Sequence, residues 1–285
     1  MTNMLEEKSL KTPNGEIYYW FSKNRINSDL CIVFCHGLTA DHSLFEKQID
    51  FFTSRYKILL WDIPLHGKSI PYKNFTYDNV VDGLNQIIEK ECASKLIFVG
   101  QSGGGFISQA FINKYPDNVH GFVGVGTTPL GLKYYKKSEL FWVKHFATIA
   151  KLYPYSLYRK VCPKKVAVTP EARDNMYKTL VSLSKKDMLN ATNAVYQEFL
   201  KVKESVQFPF PILLTYGEFD KVGLVAKYNQ NWAKATNARL KVIKNASHNA
   251  NYDNSMEFNH ILNDYIRERV NNETHMYEMH KHLCI

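Results

Sequence analysis

The hydrophobic positions of the chain form short unbroken runs that alternate with helix-like patterns. The segment 30–34 (LCIVF) is apolar at every position, as expected for a strand buried on both faces of a sheet. The segment 79–91 instead repeats its apolar residues every three to four positions, which is helical spacing. Alternation of these two patterns predicts an α/β protein with a parallel sheet and helices on both of its faces.

The same hydrophobic patterns predict the other elements. A hairpin is predicted over 9–19, because Asn14-Gly15 favours the turn between two antiparallel strands. Further strands are predicted at 30–34, 58–63, 95–99, 119–125, 211–216 and 238–243. Helices are predicted at 79–91, 103–115, 225–235 and 256–270.

One segment interrupts this alternation. Residues 129–205 contain no clear strand pattern, so we predict a helical insertion, or lid, within a body made of 1–128 and 206–274. Residues 275–285 are predicted to be a loose tail, since chain ends are usually poorly tied down. Three histidines and a cysteine leave a metal-binding tail as the alternative. These residues are His275, His280, His282 and Cys284.

The composition is that of an ordinary globular protein. Of the 285 residues, 45% are hydrophobic and 22% are charged, which excludes a disordered chain, a collagen-like fibre and a disulfide-stapled miniprotein. The formal net charge is +9, and taken alone it would suggest nucleic acid, an anionic membrane or an acidic substrate.

The cysteines indicate a reducing compartment. Cys31 and Cys35 lie on one predicted strand about 13 Å apart, whereas a disulfide needs Cα atoms within about 7 Å. No Cys-x-x-Cys pair or zinc-like spacing occurs in the body of the chain. Residues 1–11 have no apolar core of signal-peptide length, and no apolar run approaches the roughly 20 residues of a membrane span. A cytoplasmic protein without a transmembrane segment is predicted.

A serine lies in a glycine-rich junction between a predicted strand and a predicted helix. The junction consists of Gly100, Gln101, Ser102, Gly103 and Gly104. This setting is typical of a nucleophile elbow, in which flanking glycines let strand and helix approach closely and the hydroxyl lies at the helix N-terminus. The alternative is a glycine-rich turn with an incidental serine.

A nucleophilic serine needs a base and a group that orients the base. His248 follows the predicted strand 238–243, and Asp220 follows the predicted strand 211–216. The carboxyl ends of strands in a parallel sheet lie at the edge where ligands bind. We therefore predict Ser102, Asp220 and His248 as the catalytic residues, with Glu218 as the alternative to Asp220.

Acyl transfer also needs donors for an oxyanion. The backbone N–H of Gly103 and that of Leu38, in the loop after the strand 30–34, are the candidates. The alternative for this loop is a plain turn at the strand end. A second turn, at 62–69, is interpreted as structural, and His66 within it is given no chemical role.

Together these motifs resemble the α/β-hydrolase-fold serine hydrolases with a helical lid, over residues 16–270. The resemblance rests on HGL at 36–38, DIPLHGKS at 62–69, GQSGG at 100–104, YGEFD at 216–220 and ASHN at 246–249. It implies an α/β-hydrolase fold with a mostly parallel eight-stranded sheet flanked by helices, a lid inserted after the sixth strand, a Ser-Asp-His triad, and neither cofactor nor metal.

The sequence departs from the family pattern at three places. The oxyanion loop reads HGLT rather than HGGG, which argues against bulky tertiary-alcohol esters. Leu65 occupies a position where relatives commonly have glycine. Gly105 is a third consecutive glycine, which we attribute to pocket space or close packing. The serine nucleophile argues against haloalkane dehalogenases and epoxide hydrolases, which use a carboxylate there.

The predicted activity is hydrolysis of a carboxylic ester of a small or medium-sized substrate through an acyl-enzyme. Thioesterase, lactonase, C–C bond hydrolase and aminopeptidase activities are alternatives with the same triad. An alternative of another class is a ligand-binding sensor or partner-binding protein with slow turnover.

The net charge is concentrated in one segment. Residues 129–205 carry 15 Lys and Arg against 6 Asp and Glu, a net +9, whereas the rest carries 21 of each. One interpretation is a solvated lid face. The other is that the lid attracts an anionic substrate or contacts an anionic lipid surface peripherally. No nucleic-acid recognition motif accompanies the charge, so nucleic acid is not a predicted partner.

Overall fold

A single eight-stranded sheet forms the centre of the protein. The computed structural model describes residues 4–23, 28–91 and 94–283, with side chains as far as residue 269. The strands are β1 (Leu5–Thr12), β2 (Gly15–Ser22), β3 (Leu30–Cys35), β4 (Lys57–Trp61), β5 (Lys95–Gln101), β6 (Val119–Val125), β7 (Leu213–Gly217) and β8 (Arg239–Ile243). Their order is β1-β2-β4-β3-β5-β6-β7-β8. The pairs β1–β2 and β2–β4 are antiparallel and the other neighbours are parallel, so the predicted mostly parallel sheet is confirmed.

Helices cover both faces of the sheet. They are α1 (Glu46–Phe52), α2 (Tyr77–Lys90), α3 (Gly103–Lys114), α4 (Lys137–Leu152), α5 (Tyr155–Val166), α6 (Pro170–Ser182), α7 (Lys185–Phe199), α8 (Val225–Thr236), α9 (Ala250–Asp253) and α10 (Ser255–Leu283). Two short 3-10 helices occupy His42–Phe45 and Leu132–Tyr134. Helices α2, α3 and α8 contribute to the apolar layer on one face, and α1 and α10 to the layer on the other.

Strand β3 shows why its sequence is apolar at every position. Cys31 and Val33 belong to the core layer on the α2–α3 side, whereas Ile32 and Phe34 belong to the layer on the α1–α10 side. Successive side chains of a strand point to opposite faces, so a strand covered on both faces needs no polar position. β8 differs because it is an edge strand, and Arg239 and Lys241 on it are exposed.

The segment 129–205, all of which the structure describes, contains α4 to α7 and no strand. These helices follow β6 and precede β7, as the sequence pattern indicates. The domain limits at 128 and 206 remain a prediction. Helix α10 is assigned through Leu283, beyond the predicted end at 270. The side chains of 270–283 and all of 284–285 lie outside the described residues, so the prediction for the tail at 275–285 remains untested.

The cysteine prediction is confirmed for β3. Cys31 and Cys35 are free and buried, and burial raises the pKa of their thiols to about 12 and about 11. Across the described residues, no helix combines the length and the apolar character needed to cross a bilayer.

Candidate active site

Ser102 occupies a strained turn between β5 and α3. Its φ of 48° and ψ of −119° lie in a region that residues other than glycine rarely adopt. Neighbouring glycines allow the strand, the turn and the helix to pack this closely. A Cβ atom on Gly104 would lie 2.2 Å from the carbonyl oxygen of Cys35, and one on Gly100 would lie 2.5 Å from the Cα of Gly105. The turn therefore holds the serine at the N-terminus of α3.

Asp220 and His248 form a buried pair. The Nδ1 of His248 lies 2.9 Å from Oδ2 of Asp220, whose side chain has no exposed area. The other carboxylate oxygen accepts the N–H of Val222 at 2.9 Å. Glu218, the alternative from the sequence, accepts the N–H of Asn245 at 3.1 Å instead, and this bond lowers the pKa of Glu218. Asp220 is thus the acidic residue that contacts the imidazole.

Two supporting residues of this pair are not evident from the sequence. Gly126 follows β6 with a φ of 55°, and a Cβ atom there would lie 3.1 Å from His248 Nδ1 and 3.2 Å from Asp220 Oδ2. Gln101 precedes the serine, and its Nε2 donates to the carbonyl oxygen of His248 at 3.1 Å. The only sequence signal for Gly126 is a glycine at the carboxyl end of a strand, which is too common to single it out.

The two candidate oxyanion donors lie next to each other. A Cβ atom on Gly103 would lie 3.3 Å from the backbone nitrogen of Leu38, so this amide lies close to the start of α3. Gly103 is the first residue of α3, and its N–H has no intrahelical acceptor. Among the described residues, neither amide has a hydrogen-bond partner. Both N–H groups remain able to bind an anionic oxygen at the helix N-terminus.

The loop that carries Leu38 is supported by buried polar contacts. His36 donates from Nδ1 to the carbonyl oxygen of Gly37 at 2.9 Å, and its Nε2 accepts the N–H of Ile63 at 3.0 Å. This pattern requires a neutral imidazole, and burial lowers the pKa of His36. Asp62 is buried and accepts the N–H of His42 at 2.9 Å. These contacts join the turn at 62–69 to the oxyanion loop.

The turn at 62–69 contains a residue in the left-handed region and a buried histidine. Leu65 has a φ of 71°, in the left-handed region that glycine adopts most readily. His66 is buried, and burial lowers its pKa to about 3. Its Nδ1 lies 3.2 Å from the carbonyl oxygen of Pro64.

Two cavities adjoin Ser102. One encloses about 270 Å³ and the other about 340 Å³, and both are lined by Ser102, Leu38, Trp142 and His248. The first is lined further by mainly apolar residues, including Phe106, Tyr135, Val143, Phe199, Leu224 and Val225. The second is lined further by Thr39, Ala40, Phe146, Tyr158, Cys162 and Met176. The described linings of both cavities are therefore suited to apolar groups.

The lining charges bear on the hypothesis of an anionic substrate. Neither described lining contains Lys or Arg, and the carboxylate in the first cavity is that of Glu139. Glu139 accepts hydrogen bonds from the Tyr228 hydroxyl and from the N–H of Lys136, which together lower its pKa. The basic residues of 129–205 thus lie outside both described linings.

The insertion is tied directly to the loop that carries His248. Asp253 accepts the N–H groups of Val168, Thr169 and Ser247, each at 2.9 Å. The N–H of Asn249 donates to the carbonyl oxygen of Val166 at 2.8 Å. The junction of α5 and α6 is therefore hydrogen-bonded to Asn249 directly and is linked to Ser247 through Asp253. Ser247 and Asn249 are the two neighbours of His248.

No group of three or more His, Cys, Asp or Glu among the described side chains is arranged to hold a metal ion.

Several known proteins are similar to this chain. A pimeloyl-[acyl-carrier protein] methyl ester esterase from Wigglesworthia glossinidia brevipalpis is 29% identical over 98 residues, which cover 34% of this chain and 36% of the relative. A strigolactone esterase from Pisum sativum is 25% identical over 108 residues, or 36% of this chain and 40% of the relative. The matches thus span less than half the length of these two relatives.

The structural comparison extends over nearly the whole chain. A thermophilic esterase from Thermogutta terrifontis, solved with malate bound, superimposes with a TM-score of 0.75 at 16% identity, covering 93% of this chain and 98% of the other. At this identity the likeness concerns the fold. The family model described as alpha/beta hydrolase fold matches residues 31–255. With that match over most of its length, the chain belongs to the α/β-hydrolase fold family.

Proposed function

We propose that this protein is a serine hydrolase that cleaves a carboxylic ester through an acyl-enzyme. The observation that carries the proposal is the buried Asp220–His248 pair, since His248 lines the same cavities as Ser102. A histidine oriented by a carboxylate is the base that a serine hydroxyl needs. Relatives named as esterases support an ester as the substrate.

In the proposed reaction, His248 takes the proton of Ser102 as the serine oxygen attacks the ester carbonyl. Asp220 holds the imidazole in the tautomer that leaves Nε2 free to accept this proton. The N–H groups of Leu38 and Gly103 stabilise the oxyanion that forms. His248 then gives the proton to the departing alcohol. Water activated by the same histidine hydrolyses the acyl-enzyme.

The cavities support an uncharged substrate of small to medium size. Because Ser102 lines both cavities, we assign the acyl group to one of them and the alcohol to the other. Helices α4 to α7 act as a lid in this proposal, because Trp142 and Tyr196 from them line both cavities.

The test is labelling with a fluorophosphonate, which reacts with an activated serine. We expect wild-type protein and the Ser94→Ala variant, altered at an exposed serine, to be labelled equally, and Ser102→Ala to be unlabelled. Folded wild-type protein that resists labelling would contradict the proposal. Nitrophenyl esters, thioesters, lactones and amino-acid amides, each assayed against Ser102→Ala, then identify the bond that is cleaved.

A further inference from the structure

Exposed apolar side chains are concentrated on one part of the insertion. Of the 13 large hydrophobic residues that are exposed among the described side chains, seven lie within 141–157. We call these seven the α4 surface. They are Phe141, Trp142, Phe146, Ile149, Leu152, Tyr153 and Leu157. A patch of this kind on a globular protein usually marks an interaction site.

The helical repeat places several of these residues on one side of α4. Trp142, Phe146 and Ile149 recur at intervals of four and three residues, so they lie along one side of α4, and Tyr153 follows directly after the helix. Leu152 beside them is 86% exposed, and Trp142 is 63% exposed. A helix of a globular domain normally turns such a stripe towards the core. Here α4 leaves it in contact with solvent.

A row of basic residues flanks the α4 surface beside Phe141 and Leu152, on nearly the opposite side of α4 from Trp142. Lys137, Lys144 and Lys151 recur every seven residues and are all exposed, so they form a row along α4. Seven residues correspond to nearly two helical turns, which keeps the row on one side of the helix. The whole excess charge of the protein, +9, lies in the segment 129–205 that contains this row. A second copy of the chain would bring a like charge to the same surface, which disfavours self-association there.

The α4 surface reaches the mouth of the active site. Trp142 is exposed and also lines both cavities beside Ser102. Leu224, from the loop after β7, is 53% exposed and lines the first cavity. An apolar path therefore leads from the outside of α4 to the serine.

We propose that the α4 surface binds an anionic lipid bilayer and that the active site takes an apolar ester from it. The outward side of α4, with its most exposed apolar residues Phe141, Trp142 and Leu152, would enter the boundary between headgroups and acyl chains, as amphipathic interfacial helices do. The lysines would contact the anionic headgroups, each favouring the bound state about fivefold, which is about 1 kcal/mol. Cavity linings without Lys or Arg fit an uncharged acyl or alkyl chain better than a headgroup. This inference rests on the proposed ester hydrolysis.

The experiment is cosedimentation of the full chain with vesicles of phosphatidylcholine, alone or mixed equally with phosphatidylglycerol. The Ser102→Ala variant is used, so that lipid turnover does not alter the vesicles. We expect binding to the anionic vesicles that weakens as salt is raised, and little binding to the neutral ones. Replacing both Ile149 and Leu152 with Asp should weaken binding at least about tenfold, whereas Met256→Asp, at a residue 72% exposed on α10, should not.

Charge variants test the role of the lysine row. Lys144→Gln combined with Lys151→Gln should weaken binding about 25-fold, and the same change at the exposed Lys234 and Lys241 should have a smaller effect. Absence of binding to anionic vesicles would overturn the proposal. Equal binding to both kinds of vesicle, or a dimer that Leu152→Asp dissociates without any vesicle binding, would also overturn it.

Fluorophosphonate labelling of otherwise wild-type protein separates this inference from the proposed function. Labelling at Ser102 without vesicle binding refutes the α4 surface and leaves the hydrolase intact. Vesicle binding without labelling supports the surface and refutes the hydrolase. The Ile149 and Leu152 double variant should hydrolyse a soluble short ester at the wild-type rate, because neither side chain lines the described cavities.

Discussion

Asp253 joins two parts of the protein that lie far apart in sequence, and its removal makes a specific prediction. Its Oδ1 accepts the N–H groups of Val168 and Thr169, each at 2.9 Å. Its Oδ2 accepts the N–H of Ser247, next to His248, at 2.9 Å. Replacement by Ala would leave three backbone donors without this acceptor, and replacement by Asn would leave an amide nitrogen opposite the N–H of Ser247.

The size of the effect follows from these bonds. A hydrogen bond to a charged group contributes about 1.5–3 kcal/mol, and groups that reach water recover part of the loss. Asp253 is half-buried, so we expect Asp253→Ala to lower the free energy of unfolding by about 2–4 kcal/mol. Asp253→Asn retains one acceptor and should cost about half as much. Because the loop of His248 loses an anchor, kcat should fall about tenfold or more in the Ala variant.

Three measurements check this prediction. Urea unfolding gives the free energy, and ester hydrolysis under conditions where the variant is fully folded gives kcat. Hydrogen exchange should accelerate at both 165–169 and 246–249. Asp264→Asn, at an exposed position of α10, is the matched control and should change none of them. Unchanged hydrogen exchange at 165–169 would refute the coupling between the two segments. A loss of kcat fully explained by the fraction of unfolded variant would also refute it.

Three further predictions concern the site and its support. Asp220→Asn should lower kcat about 10⁴-fold by disturbing the histidine tautomer, whereas Glu218→Gln should change kcat less than about threefold. A steady-state ester assay in which both variants lose kcat equally would contradict the assignment of Asp220. Gly105→Ala should lower the free energy of unfolding by about 1–3 kcal/mol, although Ala favours helices. The reason is that its Cβ would lie 2.2 Å from Oγ1 of Thr127. An increased free energy of unfolding in urea would disprove the close packing. Burial lowers the pKa of His66 to about 3 in the folded protein, whereas in the unfolded chain this histidine binds a proton below about pH 6.5. The free energy of unfolding should therefore fall between about pH 6.5 and pH 3, by at most about 1.4 kcal/mol per pH unit from this group. The His66→Leu variant should show a shallower acid slope in urea titrations, and an unchanged slope would argue against this linkage.

The sequence was sufficient for elements whose pattern is local. Strand β3 is fully apolar because both faces are covered, and α2 shows the apolar spacing of a helix with one buried side. These patterns depend only on neighbouring positions, so the sheet and the flanking helices could be predicted from them. The glycines around Ser102 could be interpreted in the same way, since close packing of a strand against the following helix leaves no room for side chains there.

What escaped prediction depends on contacts between distant residues. Asp253 and Val168 are separated by 85 positions, and Gln101 and His248 by 147, and neither pair has a sequence motif that indicates the contact. Gly105 was open to two interpretations, and its proximity to Thr127 identifies close packing as the reason. The choice between Asp220 and Glu218 likewise needed the geometry, because both lie on the same loop only two positions apart.

The distribution of anchors in the insertion has a consequence for evolution and engineering. The connection between α5 and α6 is bound to the histidine loop through Asp253, and the start of α4 is bound to α8 through Glu139 and Tyr228. The outward side of α4 takes part in neither bond. Phe141, Ile149 and Leu152 on that side line neither described cavity. A library confined to these three positions should leave the anchors of the His248 loop intact. Under the proposed function, it would alter the surface preference of the protein while hydrolysis of a soluble ester stays constant.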